Sequence, residues 1–259
     1  MTVRTIAQGL RSLLGLLGAL LLWIPGGVVI RLVILPLAWL RPTWQAGLVT
    51  GFMKAMAFGI FASLRAGGAR FERCGRLDTS RPTLVVMNHQ SLLDILSATL
   101  MAAPYVPAFV TRRRYARFIP LVSPCIRLLG GPVIDPKRDR RGAVLAIREA
   151  ALGLRHGLLI FPEGHRSLDG ELRAFRTAGI EAILGARRLP VQLVVTDGFW
   201  KSRRFVDFVF NVHRIRGRTE LLGELLPPEE PEALPAFIDS LRQRLAEGLS
   251  QLRQEPDAP

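Results

Sequence analysis

Residues 83–101 read TLVVMNHQSLLDILSATLM, an apolar run that passes through a polar turn into a second, longer apolar stretch. Leu84, Val85, Val86 and Met87 form the buried part of a strand spanning Thr83 to Met87, and Ser91 to Met101 reads as a helix. A strand feeding a helix through a short turn is the building unit of a layered α/β domain. Ser91 and Asp94 fit a Ser-x-x-acid capping box, so Asp94 has an ordinary role available, satisfying orphan N–H groups at the helix start. The same turn places His89 five residues before Asp94. Capping and chemistry are both open to that aspartate, and the rest of the chain decides between them.

Downstream the same alternation continues. Further strands are expected at Val106 to Val110, Pro132 to Ile134, Leu158 to Phe161, Val191 to Val195 and Val206 to Val212. Helices are expected between them at Arg114 to Leu129, Arg140 to His156 and Ala174 to Gly185, with Gly157 as the stop for the second of these. No internal repeat is visible. The stretch LLPPEEPEALP (225–235) then marks a Pro- and Glu-rich linker. Beyond it Phe237, Ile238, Leu241, Leu245, Leu249 and Leu252 recur at helical spacing, as in a helix packed on the domain. The final EPDAP reads as disordered. Three regions follow: residues 1–66, 67–228 and 229–259.

Residues 1–71 contain no acidic side chain. Two apolar runs, Leu10 to Ile24 and Val28 to Leu40, flank Pro25-Gly26-Gly27. Each is shorter than the ~20 apolar residues of a spanning helix. With a break at the Pro-Gly-Gly they suggest a hairpin dipping partway into a bilayer, followed by a third helix from Trp44 to Leu64. Arg4 and Arg11 also fit the n-region of a signal peptide, but no small-x-small cleavage site follows Trp23. Basic residues at both ends of the apolar region place those ends on the cytoplasmic face of the inner membrane. The formal net charge of +14, carried almost wholly by arginine, points to an anionic partner. Cys74 and Cys125 offer neither metal-ligand spacing nor a disulfide framework, and the few histidines are not spaced as ligands; no metal is expected.

Four segments carry the chemistry, in a fixed order: Asn88-His89-x4-Asp94; TRRRYARF (111–118) followed by GGPVIDPKRDR (130–140); FPEGHRS (161–167); and LPVQLVV (189–195). In this order they resemble the glycerolipid acyltransferase superfamily, and within it the 1-acylglycerol-3-phosphate (lysophosphatidic acid) acyltransferases. That family shows an N-H-x4-D segment, a Gly-x-apolar-apolar-Asp-Arg segment, F-P-E-G-T-R-S and an apolar-Pro-apolar strand. The first is complete here and the third matches at six of seven positions. The resemblance covers about Glu72 to Val195 and extends to the apolar N-terminus.

It implies an α/β layered domain with a mixed central sheet flanked by helices, plus N-terminal membrane-associated helices. It also implies transfer of a fatty acyl group from a thioester of acyl carrier protein or coenzyme A to a lysophospholipid acceptor, giving phosphatidic acid. No cofactor is implied beyond that co-substrate. By resemblance Arg166 meets the acceptor phosphate, Glu163 serves the architecture of the site, and Arg112 and Arg113 stand where the family has basic residues near the phosphate. Gly164 permits a tight turn or a close backbone approach. Pro136 stands where the family has arginine after Asp135, so Lys137 or Arg138 takes over that contact, or the acceptor differs. His165 replaces the family's threonine and reads as a harmless exposed substitution.

The residues support the same chemistry directly. A hydroxyl attacking a thioester must lose its proton, and a neutral imidazole is the natural base near neutral pH. With His89 in the turn, its ring can fold back on Asp94, which would fix the tautomer and stabilise the imidazolium. The helix N-terminus beneath favours negative charge. Other acceptors, such as a lyso-ornithine lipid, another lysophospholipid or glycerol-3-phosphate, fit the same chemistry. A non-catalytic, basic, membrane-anchored binding protein would explain the charge but not the order of the motifs. No nucleic-acid-binding signature is present.

Overall fold

The computed structural model describes residues 3–202 and 212–254. The N-terminal region is helical: α1 (Val3–Leu21), α2 (Trp23–Val29), a π-helical turn (Ile30–Ile34), α3 (Leu35–Leu40) and α4 (Gln45–Ala66). The break expected at Pro25-Gly26-Gly27 is absent. Pro25 lies in the first turn of α2, where its missing N–H is not needed, and the Gly26 N–H still donates to Leu22 O at 3.0 Å. The irregularity moves instead into the π turn. Two stretches, Gln8–Leu40 and Pro42–Ala66, are long and apolar enough to cross a membrane. α1 crosses α4 so closely that a Cβ on Gly15 would lie 2.6 Å from the Gly67 Cα. Leu16 and Ala19 pack there on Ile60, Phe61 and Leu64. The outer side of these helices stays open, with Leu14 at 60% and Trp39 at 81% exposure.

The strands are β1 (Arg70–Cys74), β2 (Leu77–Asp78), β3 (Thr83–Met87), β4 (Ala102–Ala103), β5 (Ala108–Phe109), β6 (Thr111–Arg112), β7 (Val133–Ile134), β8 (Gly157–Ile160), β9 (Val191–Asp197) and β10 (Arg216–Leu225). The main sheet runs β1-β10-β9-β3-β8-β5. β9, β3, β8 and β5 are parallel, while β10 is antiparallel to β9 and parallel to β1. The sheet is therefore mixed. β2 pairs with β4, and β6 with β7.

The later helices are α5 (Leu93–Met101), α6 (Val122–Leu129), α7 (Arg140–Leu152), α8 (Ala178–Ala186) and α9 (Leu234–Gln254). Every residue of β3 is buried, as a central parallel strand covered on both faces requires. Alternation along it feeds two cores. Leu84 and Val86 face Ile147, Ile180, Ile183 and the Ile238/Leu241/Leu245/Leu249/Leu252 stripe of α9. Val85 and Met87 face Ala98 and Met101 of α5.

Several elements differ from expectation. α6 starts at Val122 rather than Arg114, because Phe118 holds φ +63° and Pro120 follows. α7 begins behind Asp139, whose carboxylate accepts from the Gly142 N–H at 2.7 Å, and it ends before Gly153, short of His156. α5 begins at Leu93 and α8 at Ala178, a few residues later than the pattern suggested. β1 and β10 were not anticipated. The strand expected at Val206 to Val212 falls mainly outside the described residues, as does EPDAP, and Val212 opens a short 3-10 turn.

Candidate active site

Four parallel strands end on one edge of the sheet, and the turns that follow them build the site, as open α/β sheets generally do. β3 runs into Asn88 and His89, β8 into FPEGHRS, β9 into Asp197, and β5 leads to Arg112. Asn88 clasps β9: its side-chain amide donates to Thr196 O at 2.8 Å, and its oxygen accepts the Thr196 N–H at 2.8 Å. That clasp fixes where the next residue leaves the sheet.

His89 Nδ1 lies 2.8 Å from Asp94 Oδ2. The same oxygen accepts the N–H groups of Gln90 (2.6 Å) and Ser91 (2.7 Å). Asp94 thus caps the start of α5 and holds the imidazole at once, and it is completely buried. Its other oxygen, Oδ1, is buried without a hydrogen-bond partner among the described residues. The N–H groups of Gln90 and Ser91, expected to favour negative charge, meet that of this carboxylate. A buried carboxylate so held favours the tautomer with its proton on Nδ1, in which Nε2 is the acceptor nitrogen. The ring stacks on Phe161, with centroids 4.0 Å apart.

Glu163 connects the two motifs. It is 3% exposed; Oε1 accepts the His89 N–H at 2.7 Å and Oε2 accepts the Arg173 N–H at 3.0 Å. Burial raises its carboxyl above the ordinary carboxylate range, against the pull of those two donors. The Ser167 N–H closes the loop on His89 O at 2.7 Å. Gly164 takes φ +68°, and a Cβ there would come within 2.9 Å of Arg176 Cδ.

A cationic group lies beside the pair. The Arg112 guanidinium donates to Gly164 O and lies 3.1 Å from His165 Nε2, while Arg176 approaches His165 Nδ1 at 3.3 Å. Pairing of β6 with β7 places Ile134 opposite Arg112 and so carries Asp135-Pro136-Lys137 to the same place. Burial lowers the His165 pKa first, and Arg112, Arg176, Arg173 and Lys137 lower it further. His165 is thus exposed but in contact with two guanidinium groups. Arg166 is half-buried on the same loop. Arg113 and Arg138 are exposed, Arg113 in a 3-10 turn and Arg138 in the turn closed by its N–H on Asp135 O.

Residues 70–195 match the family model described as Acyltransferase. The matched stretch runs from the start of β1 into β9 and contains all four motif segments. The chain is 30% identical over 173 residues to a 1-acyl-sn-glycerol-3-phosphate acyltransferase of Chlamydomonas reinhardtii, covering 65% of this chain and 49% of that one. It is 27% identical over 183 residues to the 1-acyl-sn-glycerol-3-phosphate acyltransferase of Helicobacter pylori, covering 69% of this chain and 72% of that one. The chain therefore spans about half the length of the first relative and more of the second. The crystal structure of the 1-acyl-sn-glycerophosphate acyltransferase PlsC from Thermotoga maritima superposes with a TM-score of 0.75 at 20% identity, covering 99% of this chain and 100% of that one. That likeness shows the fold: α/β, with a mixed sheet flanked by helices and apolar N-terminal helices.

Within this fold several site residues were not singled out by the sequence. Phe161 stood inside a recognised motif, and a ring one residue past a strand end was the available signal. Arg173 and Arg176 follow the motif at no diagnostic spacing. Gln90 is placed by tertiary contacts alone: its amide meets Asp197 Oδ1 at 2.9 Å and its oxygen accepts the Phe199 N–H at 3.1 Å.

Proposed function

We propose that this chain transfers a fatty acyl group from an acyl thioester to the free hydroxyl of 1-acylglycerol-3-phosphate, yielding phosphatidic acid, with His89 as the general base and Asp94 as its orienting partner. The 2.8 Å His89–Asp94 pair, set beside a cationic loop cluster on the same sheet edge, is the observation that carries this reading. Nε2 takes the hydroxyl proton as the oxygen bonds to the acyl carbon. The C–S bond then breaks, and the leaving thiolate recovers the proton from the imidazolium. The buried Asp94 carboxylate stabilises that imidazolium. Arg166, Arg112 and Lys137 hold the acceptor phosphate, with Arg173 and Arg176 adding positive potential; planar guanidinium forks suit a phosphate monoester. Arg113 and Arg138 lie farther out, at the rim.

The exposed apolar side of α1–α4 seats the molecule in a bilayer, at the cytoplasmic face of the inner membrane, and Phe118, 96% exposed beside the basic 111–117 stretch, adds an interfacial contact. The acyl donor is coenzyme A or an acyl carrier protein, an acidic partner suited to the basic surface. Offering 1-acylglycerol-3-phosphate, a lyso-ornithine lipid and glycerol-3-phosphate in detergent micelles, with labelled donors of both kinds, tests the assignment. Phosphatidic acid as the main product is expected. Transfer to lyso-ornithine lipid alone would move the acceptor and retain the mechanism, with Pro136 marking the variant loop.

A further inference from the structure

A second cationic centre lies on the opposite edge of the sheet. A cavity of about 390 Å³ opens between α4, the turn after β1 and the Leu100–Ala103 end of α5. Its volume is within the ~300–1,000 Å³ range of small-ligand sites. Asp94 sits at the other end of α5, seven residues or roughly 10 Å of helix away, so this cavity is separate from the His89 site. Three cations from two segments of chain line it: Lys54 of α4, Arg73 of β1 and Arg76 of the turn; none of its lining residues is acidic.

The carboxylates nearest in sequence are committed elsewhere. Glu72 pairs with Arg218 at 3.1 Å, and Asp78 accepts from Ser80 and faces Arg81. Arg73 stacks its guanidinium 4.8 Å over the Phe61 ring, and its Nη1 is buried without a hydrogen-bond partner among the described residues. A buried, unpaired donor on a cation is costly, and gathering like charges around a cavity adds to the cost. An anion with several acceptor oxygens would offset both. Arg65, a fourth cation nearby, is already engaged through Phe71 O at 2.8 Å. Phe58, one turn after Lys54 on the same helix face, is 66% exposed and apolar, so the mouth of the cavity adjoins the side that meets lipid.

We propose that Lys54, Arg73 and Arg76 form a second phosphate-binding site, apart from the reaction centre, which takes a phosphate group either free in solution or on a lipid headgroup. Phosphate oxygens give acceptors to the Arg73 guanidinium, the Arg76 fork and the Lys54 ammonium together.

Cys74 gives a local reporter that does not depend on acyl transfer. Its thiol is exposed next to Arg73, whereas Cys125 is buried and its thiol is pushed up to about 12, so a small fluorinated tag reacts at Cys74 alone. The tagged full chain, in neutral micelles at constant ionic strength, is titrated with inorganic phosphate and, separately, with short-chain phosphatidic acid while its ¹⁹F signal is followed. A saturable shift with either is expected. It should weaken at least tenfold in midpoint in Arg76→Gln and vanish in Lys54→Gln/Arg73→Gln, but persist in Arg242→Gln, a charge-matched change on the exposed side of α9. Because Arg76 is exposed, its variant reports even if the double variant folds poorly. A shift with inorganic phosphate identifies free phosphate as sufficient; a shift only with phosphatidic acid identifies the headgroup. No shift in the wild-type chain, or an undiminished one in Arg76→Gln, would overturn the proposal.

Discussion

At the residue scale the site turns on two buried carboxylates with different work. Asp94 receives a ring nitrogen and two backbone N–H groups on one oxygen. Asp94→Asn retains an acceptor for those donors but no longer stabilises an imidazolium. A loss on the order of 10²–10⁴ in kcat is expected with near-native far-UV circular dichroism; unchanged kcat would reduce Asp94 to a helix cap. Glu163 instead ties His89 N to Arg173 N. Glu163→Ala leaves both donors unsatisfied and should cost roughly 2–4 kcal/mol in urea unfolding, whereas Glu163→Gln should cost less. Burial raises the folded-state pKa of Glu163 above its unfolded value, so the folded chain binds the extra proton between the two. Its contribution to stability therefore falls as pH rises from the ordinary glutamate range through the folded pKa. Glu163→Gln should flatten that part of the stability–pH curve, and an identical slope would contradict the assignment.

At the element scale, placement of the chemistry depends on where strands stop. The φ of +68° at Gly164 and the nearness of Arg176 make Gly164→Ala a strained change, with an expected cost of about 1–2 kcal/mol for the left-handed backbone. Displacement of the Gly164 carbonyl from Arg112 should also raise KM for a phosphate-bearing acceptor more than it lowers kcat; steady-state kinetics on the variant read both. β3 and β8 were legible because strands buried on both faces are continuous apolar runs, and the stripe of α9 was legible because its period is helical. β1, RFERC, and β10, RGRTELLGEL, were not, because their arginines and glutamates break the apolar run. A register shift between Leu221 and Gly223 interrupts β10 further. The His89–Asp94 pair could be read from spacing and motif order. The cationic group around His165 could not, because β6–β7 pairing and the seventeen-residue loop between β8 and α8 (161–177) bring its members together.

At the scale of the whole molecule, one edge of the sheet carries the candidate site and the helical N-terminus presents an apolar side to solvent. Leu32 and Trp39 are 71% and 81% exposed. Replacing both with serine should reduce partitioning onto anionic vesicles by at least about tenfold, since each apolar side chain buried in lipid contributes roughly 1.5–3 kcal/mol; vesicle flotation measures this, and unchanged partitioning would place the membrane contact elsewhere. α9 closes the other flank, where Arg253 reaches Asp197 Oδ2 at 3.2 Å and Glu171 at 2.7 Å, bracing the β9 end that Gln90 also touches. On the proposed reading, all of this scaffolding serves one proton transfer. The most direct test is acyl transfer to 1-acylglycerol-3-phosphate in detergent micelles, wild type against His89→Ala, with folding of both verified by circular dichroism. The expected result is phosphatidic acid from the wild-type chain and a loss on the order of 10²–10⁴ in rate for the variant. A folded variant that transfers acyl groups as fast as the wild type would contradict His89 as the base.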